Sequence, residues 1–344
     1  MSVINRGFCG LTLQFAPSEL AYYGTAKNLS SGRPNLAATT VGNYALFAGG
    51  KLAIVVNYVD AYNQNLTRSN PTVLSRGRCS LAATTIGNYA LFGGGFIESS
   101  TESYSNDVDA YDETLTRTNP NNLYSKCGYL AATTVGNYAL FAGGKISRLS
   151  GEVNSSVSAY NASLTRVMAD SLSVARYDLA STAIGNSALF IGGAKRDVKN
   201  VNTVDVINSS LTCSTISGYP ISVRLASATT VGNYALFAGG LSNYRTANVY
   251  AYNKSLTRKQ INSLHVERHS MAATTIEDYA LFGGGDENGG ASAVVDVYDT
   301  SLTKTIPTAM SKGRAYLAST TVGNYALFGG GSNNTNTVDV YTIE

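Results

Sequence analysis

The side chains best suited to chemistry in this sequence are arginines. Arg33, Arg78, Arg176, Arg268 and Arg314 each stand three residues before a Leu or Met that opens a recurring apolar phrase, and Arg224 lies near the same place in the fifth copy. A guanidinium fork grips a carboxylate or phosphate through charge-assisted hydrogen bonds worth about 1.5–3 kcal/mol each. Gathered around one opening, such forks would form an anion-binding ring. Arg176 has Asp178 close by and Arg268 follows Glu267, so these two have local counter-charges. Arg314, Arg33 and Arg78 have none and gain Lys312 and Arg76, which makes them an expected cationic arc that the acidic stretch Glu98, Glu102, Asp107 would neutralise if it folded over.

Other reactive types are sparse. His265 and His269 would share a face if their segment were helical, but a third metal ligand is not apparent, and both are expected at the surface. Cys9, Cys79, Cys127 and Cys213 form no Cys-x-x-Cys pair and no zinc spacing, so reduced, buried thiols are expected. There is no Gly-x-Ser-x-Gly elbow and no phosphate-binding glycine loop. No catalytic residue, metal ligand or cofactor site is assigned. Asp60, Asp109, Asp205, Asp296 and Asp339 recur near Arg68, Arg117, Cys213, Lys304 and an N-terminal strand, and are expected as exposed cross-strand partners serving stability.

The elements that must position these residues come from an internal repeat. The phrase Leu36-Ala-Ala-Thr-Thr-Val-Gly-Asn-Tyr-Ala-Leu-Phe-Ala-Gly49-Gly50 returns seven times, with the first glycines of the pairs 45, 49, 49, 47, 45 and 46 residues apart. Each copy reads as four short strands. Gly-Asn, as in Gly42-Asn43, links the first two through a tight turn that needs positive φ; Glu277-Asp278 replaces it in the sixth copy and should be strained. A variable loop follows the glycine pair, then a third strand such as Val59–Tyr62. A polar turn leads to a fourth strand starting near Arg68, Arg117, Arg166 or Arg258. Asn-x-Ser/Thr at Asn65, Asn161, Asn208 and Asn253 falls in this turn, where turn chemistry accounts for it. Small residues in the first strand suit convergence on an axis. Radial stacking would then bury sheets that are apolar on both faces, whereas a solenoid would need capping repeats.

The seventh copy ends at Glu344 after its third strand, and residues 20–27 sit where a fourth strand would precede the first copy. An all-β, seven-bladed propeller of four-stranded antiparallel blades is expected over residues 20–344. Its last blade would be completed by the N-terminal strand, with residues 1–19 a lead-in or docking arm.

The glycine pair, the upstream Arg and the Val-x-x-Tyr-Asp/Asn third strand resemble the kelch-repeat β-propeller family. The usual kelch Trp is missing: the chain has no Trp, and Leu66, Leu115, Leu164, Leu211, Leu256 and Leu302 occupy the neighbouring turn. The resemblance implies a binding pocket into which these arginines point, as in kelch domains that hold acidic peptides. It also raises a copper site like that of galactose oxidase, which needs converging histidines absent here, and a kelch-type sugar epimerase.

Composition limits the partners. Charged residues make up 14% of the 344, the net charge is +3, and 44% are hydrophobic, which excludes a polybasic nucleic-acid binder and a disordered tail. No apolar run is long enough for a membrane span, and no signal peptide is evident. A cytoplasmic or virion-incorporated protein is expected. The leading expectation is a non-catalytic module binding a protein, or an anionic peptide or glycan, through the face bearing the Arg ring and the variable loops. Tyr104, Tyr244, Phe96 and Arg148 are its expected anchors. The alternative is a structural or receptor-binding component of a phage-tail-like or surface assembly with a protein or glycan ligand. A sugar-acting enzyme at the axial mouth ranks third.

Overall fold

The fold is described by a computed structural model that covers residues 19–98 and 103–344. All but the last residue of the expected lead-in, and Glu102, lie outside the described residues. The rest is almost wholly β: eight sheets, of which seven are four-stranded and antiparallel and one is a two-stranded ribbon. This is consistent with a propeller.

In sheet 1, Ala37–Val41 pairs with Tyr44–Ala48, then Val59–Asn63, then Arg68–Ser69. The turn at Gly42 takes φ +49°, as the Gly-Asn step requires, and Glu277 is held at φ +45° in the equivalent turn, the expected strain. At the polar turn Asn63 Oδ1 accepts the N–H groups of Asn65 and Thr67 (3.0 and 2.9 Å), and Asn161 and Asn253 do the same in theirs. The leucine of each such turn, from Leu66 to Leu302, adopts positive φ and packs against a neighbouring core.

Adjacent strand residues Leu46 and Phe47 are both fully buried, because each sheet is covered on two faces. One core joins Leu46, Ala48, Val59 and Ala61 of the first repeat to Ala90, Phe92 and Tyr111 of the second. Another joins Leu327, Val338 and Val340 of the last repeat to Ala45, Phe47 and Tyr62 of the first, so the packing returns to its start. First strands of neighbouring sheets are tied by threonine hydroxyls, as in Thr39–Thr85 (2.8 Å), Thr84–Thr134 (2.8 Å) and Thr40–Thr320 (2.7 Å). The N-terminal strand Leu20–Ala26 pairs antiparallel with Val338–Ile343 and fills the outer place of the last sheet, and Tyr22 donates to Asp339 across that pairing (2.7 Å). The ribbon Asp286–Glu287/Gly290–Ala291, within a segment expected only as loop, is the one sheet outside the fourfold pattern.

Candidate ligand-binding face

The first strands begin, and the second strands end, on one face of the molecule. Two closed circuits of backbone hydrogen bonds organise it. In the inner circuit Ser80 N–H donates to Asn35 O, Tyr129 to Ser80, Asp178 to Tyr129, Leu225 to Asp178, Ser270 to Leu225, Tyr316 to Ser270 and Asn35 to Tyr316, all at 2.8–3.1 Å. Every one of these seven residues has a left-handed backbone, φ +52° to +58°. The outer circuit uses the glycine pairs: Gly50 N–H donates to Arg78 O in the next sheet (2.9 Å), and so on round to Gly331 and Arg33 O (3.0 Å). A Cβ on Gly49 would lie 2.5 Å from Arg78 O, which is why glycine ends the second strand.

The five repeated arginines do not face the opening. Arg33, Arg78, Arg176, Arg268 and Arg314 are fully buried and point back into their own sheets, where each meets the third-strand aspartate. The contacts are Arg33–Asp60 at 2.8 Å, Arg78–Asp109 at 2.5 Å, Arg176–Asp205 at 2.7 Å, Arg268–Asp296 at 2.6 Å and Arg314–Asp339 at 2.6 Å. Two expectations are thereby corrected. The arginines are not a ligand-binding ring, and the aspartates are not exposed hairpin charges. Asp178 and Glu267 are not the counter-charges either. The physical reason is that a long side chain next to the glycine pair can reach the peptide oxygens of the second strand: Arg33 donates to Gly49 O (2.6 Å) and Phe47 O (3.3 Å) as well as to Asp60. Burial lowers the Arg78, Arg176, Arg268 and Arg314 guanidinium pKa values, opposed chiefly by the facing carboxylate.

A signal for this pairing was present in the repeats. Where the Arg position holds Cys127, the Asp position holds Ser158; where it holds Val223, the Asp position holds Tyr250. A third position follows suit. Asp60, Asp109, Asp205, Asp296 and Asp339 each accept a backbone N–H, from Ser30, Ser75, Ser173, His265 and Ser311 (2.9–3.1 Å), and Ser158 Oγ accepts the matching N–H of Tyr124 (3.0 Å). In the fifth repeat that residue is Pro220, which has no N–H to satisfy, and Tyr250 packs edge-on against Tyr219 instead (4.8 Å).

At the centre the inner circuit opens into a cavity of about 570 Å³. Its rim carries the side chains of Asn35, Ser80, Tyr129, Asp178, Ser270 and Tyr316, and its floor is Leu36, Leu81, Leu130, Leu179, Met271 and Leu317. Ala226 replaces the large apolar residue in the fifth repeat, next to the one ion pair of the rim, Arg224–Asp178 at 3.3 Å. Burial pushes the Asp178 carboxyl up to about 6, against the pull of Arg224.

From the rim an arc of aromatic rings runs outward: Tyr177, Tyr129, Tyr104 and Phe96, edge-on at centroid distances of 6.4, 6.4 and 5.9 Å. Cations sit on its ends, with Lys145 4.8 Å over Tyr177, and Arg148 and Lys51 each 5.5 Å over Phe96. Three of the expected anchors, Phe96, Tyr104 and Arg148, are thus brought together. Tyr104 does not take its expected place as a surface anchor: it is buried over Gly128, where a Cβ would come 2.8 Å from its ring, and it backs the surface instead. Tyr244 stands apart, 82% exposed at a loop tip. Arg76 pairs with Asp107 (3.4 Å) and Glu98 with Lys51 (3.0 Å), so the acidic stretch neutralises those two cations and not the buried arginines; Lys312 is exposed. Sequence reasoning missed Tyr129, Tyr177 and Lys145.

His265 is exposed as expected, but His269 is buried, with Nδ1 2.9 Å from Ser270 Oγ and Nε2 3.7 Å from Asp286. Cys79 and Cys127 are buried and Cys213 is partly exposed; Cys9 lies outside the described residues. Burial raises all three described thiols, Cys127 to about 12 and Cys213 to about 11, which keeps them protonated and unreactive at neutral pH. Among the described residues no cluster of His, Cys, Asp and Glu could hold a metal, and no helix is long and apolar enough to cross a membrane.

No family model and no curated protein matches this sequence. Many solved structures share the fold, among them the structure of YjhT, which is 12% identical, with a TM-score of 0.65 over 82% of this chain and 99% of that one. The similarity is one of fold alone.

Proposed function

We propose that the chain is a seven-bladed kelch-type β-propeller acting as a non-catalytic binding module, with a protein partner held against the face that carries the central cavity. The observation that supports this is the aromatic arc in which Phe96 and the 38% exposed Tyr129 are backed by the buried rings of Tyr104 and Tyr177, with Lys51, Arg148 and Lys145 over its ends. Aromatics and arginine dominate interface energetics, and here they stand on a rigid pair of backbone circuits, so little ordering is needed on binding. The test is affinity capture from the native source with the wild type and with Tyr129→Ala/Arg148→Glu. A partner retained by the wild type and lost by the variant is expected; equal recovery by both refutes the assignment.

The cavity favours a second reading, a receptor-binding component of a phage-tail-like or surface assembly that holds a glycan. Tyr129 and Tyr316, each 38% exposed, could stack on a sugar ring, while Asn35, Ser80 and Asp178 could bond its hydroxyls above the apolar floor. Glycan-array binding that Tyr316→Ala abolishes, with no protein partner recovered, would favour it over the first.

A further inference from the structure

The loops of the third, fourth and fifth blades form one continuous surface. Gly151 lies against Arg196, where a Cβ would be 3.8 Å from its Cγ, and Asn200 donates to Leu241 O (2.9 Å) and Ser242 O (3.3 Å). This surface bears the two most exposed large apolar side chains among the described residues of these loops, Leu149 at 99% and Tyr244 at 82%. Around them stand Lys145, Arg148, Lys195, Arg196 and Lys199, against two carboxylates, Glu152 and Asp197. None of the five cations has a carboxylate partner among the described residues. Arg245, beside Tyr244, is paired with Asp286, and elsewhere on the same face Lys51, Arg76 and Arg224 are each paired with an acid.

We infer that this edge docks on an anionic lipid surface, with Leu149 and Tyr244 entering the headgroup layer and the unpaired cations held by lipid charge. The apolar groups are convex tips, not a recess. A protein partner would need a matching pocket for each, whereas a lipid interface accepts any protruding Leu or Tyr flanked by cations. Glu98, Asp107, Asp178 and Asp286 of the same face are already paired with cations, and the five cations of this edge outnumber its two carboxylates, Glu152 and Asp197. Ile54, 63% exposed in the first blade, supplies a control, because its neighbour Lys51 is tied to Glu98.

The test is co-sedimentation of the full chain with phosphatidylcholine vesicles, alone or with about 30% phosphatidylglycerol. Binding is expected only with the anionic lipid and should weaken as salt rises. Lys195→Ala/Arg196→Ala/Lys199→Ala should weaken it about a hundredfold, at roughly 1 kcal/mol per cation. Leu149→Ser/Tyr244→Ser should weaken it at least about tenfold, while Ile54→Ser leaves it unchanged. All these residues are exposed, and an unchanged thermal melt checks that each variant folds. No binding to anionic vesicles, equal binding to neutral ones, or binding that survives both sets of substitutions would overturn the inference. Loss of a defined acidic protein partner in both variants, with no vesicle binding by the wild type, would assign the surface to protein instead.

Discussion

Asp60→Ser should be far more damaging than the loss of one carboxylate suggests, and a second substitution should largely repair it. In the wild type Asp60 accepts from Arg33 (2.8 Å) inside a fully buried pair, and from Ser30 N–H (3.0 Å), Ser30 Oγ (3.0 Å) and Asn70 (2.8 Å) at its partly buried outer side. Serine at 60 keeps an acceptor for the Ser30 N–H, as Ser158 does for Tyr124, but it strands a buried guanidinium. Breaking a buried pair in this way costs about 3–5 kcal/mol. With a urea m-value of about 3 kcal/mol/M, the midpoint should fall by roughly 1–1.7 M. Arg33→Cys/Asp60→Ser reproduces the third repeat, where the charge and its counter-charge are both absent. Only lost packing then remains, about 1–2 kcal/mol, so the double variant should recover about 2 kcal/mol over the single one. The assay is equilibrium urea unfolding followed by circular dichroism, read as a double-mutant cycle. A double variant no more stable than Asp60→Ser, or a single variant within about 1 kcal/mol of wild type, would refute the reasoning.

Other consequences can be measured in the same way. Glu277→Gly relieves a left-handed non-glycine residue and should raise stability by about 1 kcal/mol; an unchanged or lower midpoint would show that Glu277 is not strained. Tyr22→Phe removes the hydrogen bond to Asp339 and should cost about 1–2 kcal/mol, while deletion through Lys27 should expose the edge of Val338–Ile343 and give an aggregating product by light scattering. Asp178 has a folded-state pKa near 6, above its ordinary 3.8, so its contribution to stability is complete in acid and is lost as pH rises through 6. Asp178→Asn should abolish that decline and stabilise the protein at neutral pH by about 1–3 kcal/mol; parallel stability curves for the two proteins across this range would count against it.

The scaffold was legible because its determinants are local and repeated. Gly42 needs positive φ, Gly49 needs the absence of a Cβ, and Leu46 and Phe47 need cover on both faces, and each requirement recurs with every copy. The arginines were misplaced because spacing fixes where a side chain starts and not where its far end goes. Arg33 begins beside the rim and ends against Asp60, twenty-seven residues on. Comparing one repeat with another would have revealed it, since Cys127 with Ser158 and Val223 with Tyr250 change together. The aromatic arc was only half legible. Phe96 and Tyr104 share one loop, but Arg148, Tyr129 and Tyr177 come from later repeats, and nothing in the linear order says that neighbouring rims meet.

The buried pairs also bear on how a chain of near-copies finds its own register. The Ala-Leu-Phe strands are so alike that a hairpin from one repeat could seat in the place of another with little apolar penalty. Exchange among the five charged repeats would go unpunished, but any exchange with the third or fifth would bury an arginine opposite Ser158 or Tyr250, or an aspartate opposite Cys127 or Val223. Pro220 adds a second bar, because it cannot supply the N–H that a transplanted aspartate would be left without. The two irregular repeats therefore serve as landmarks in an otherwise monotonous sequence, and they discriminate against the mis-threaded rings that repetition invites.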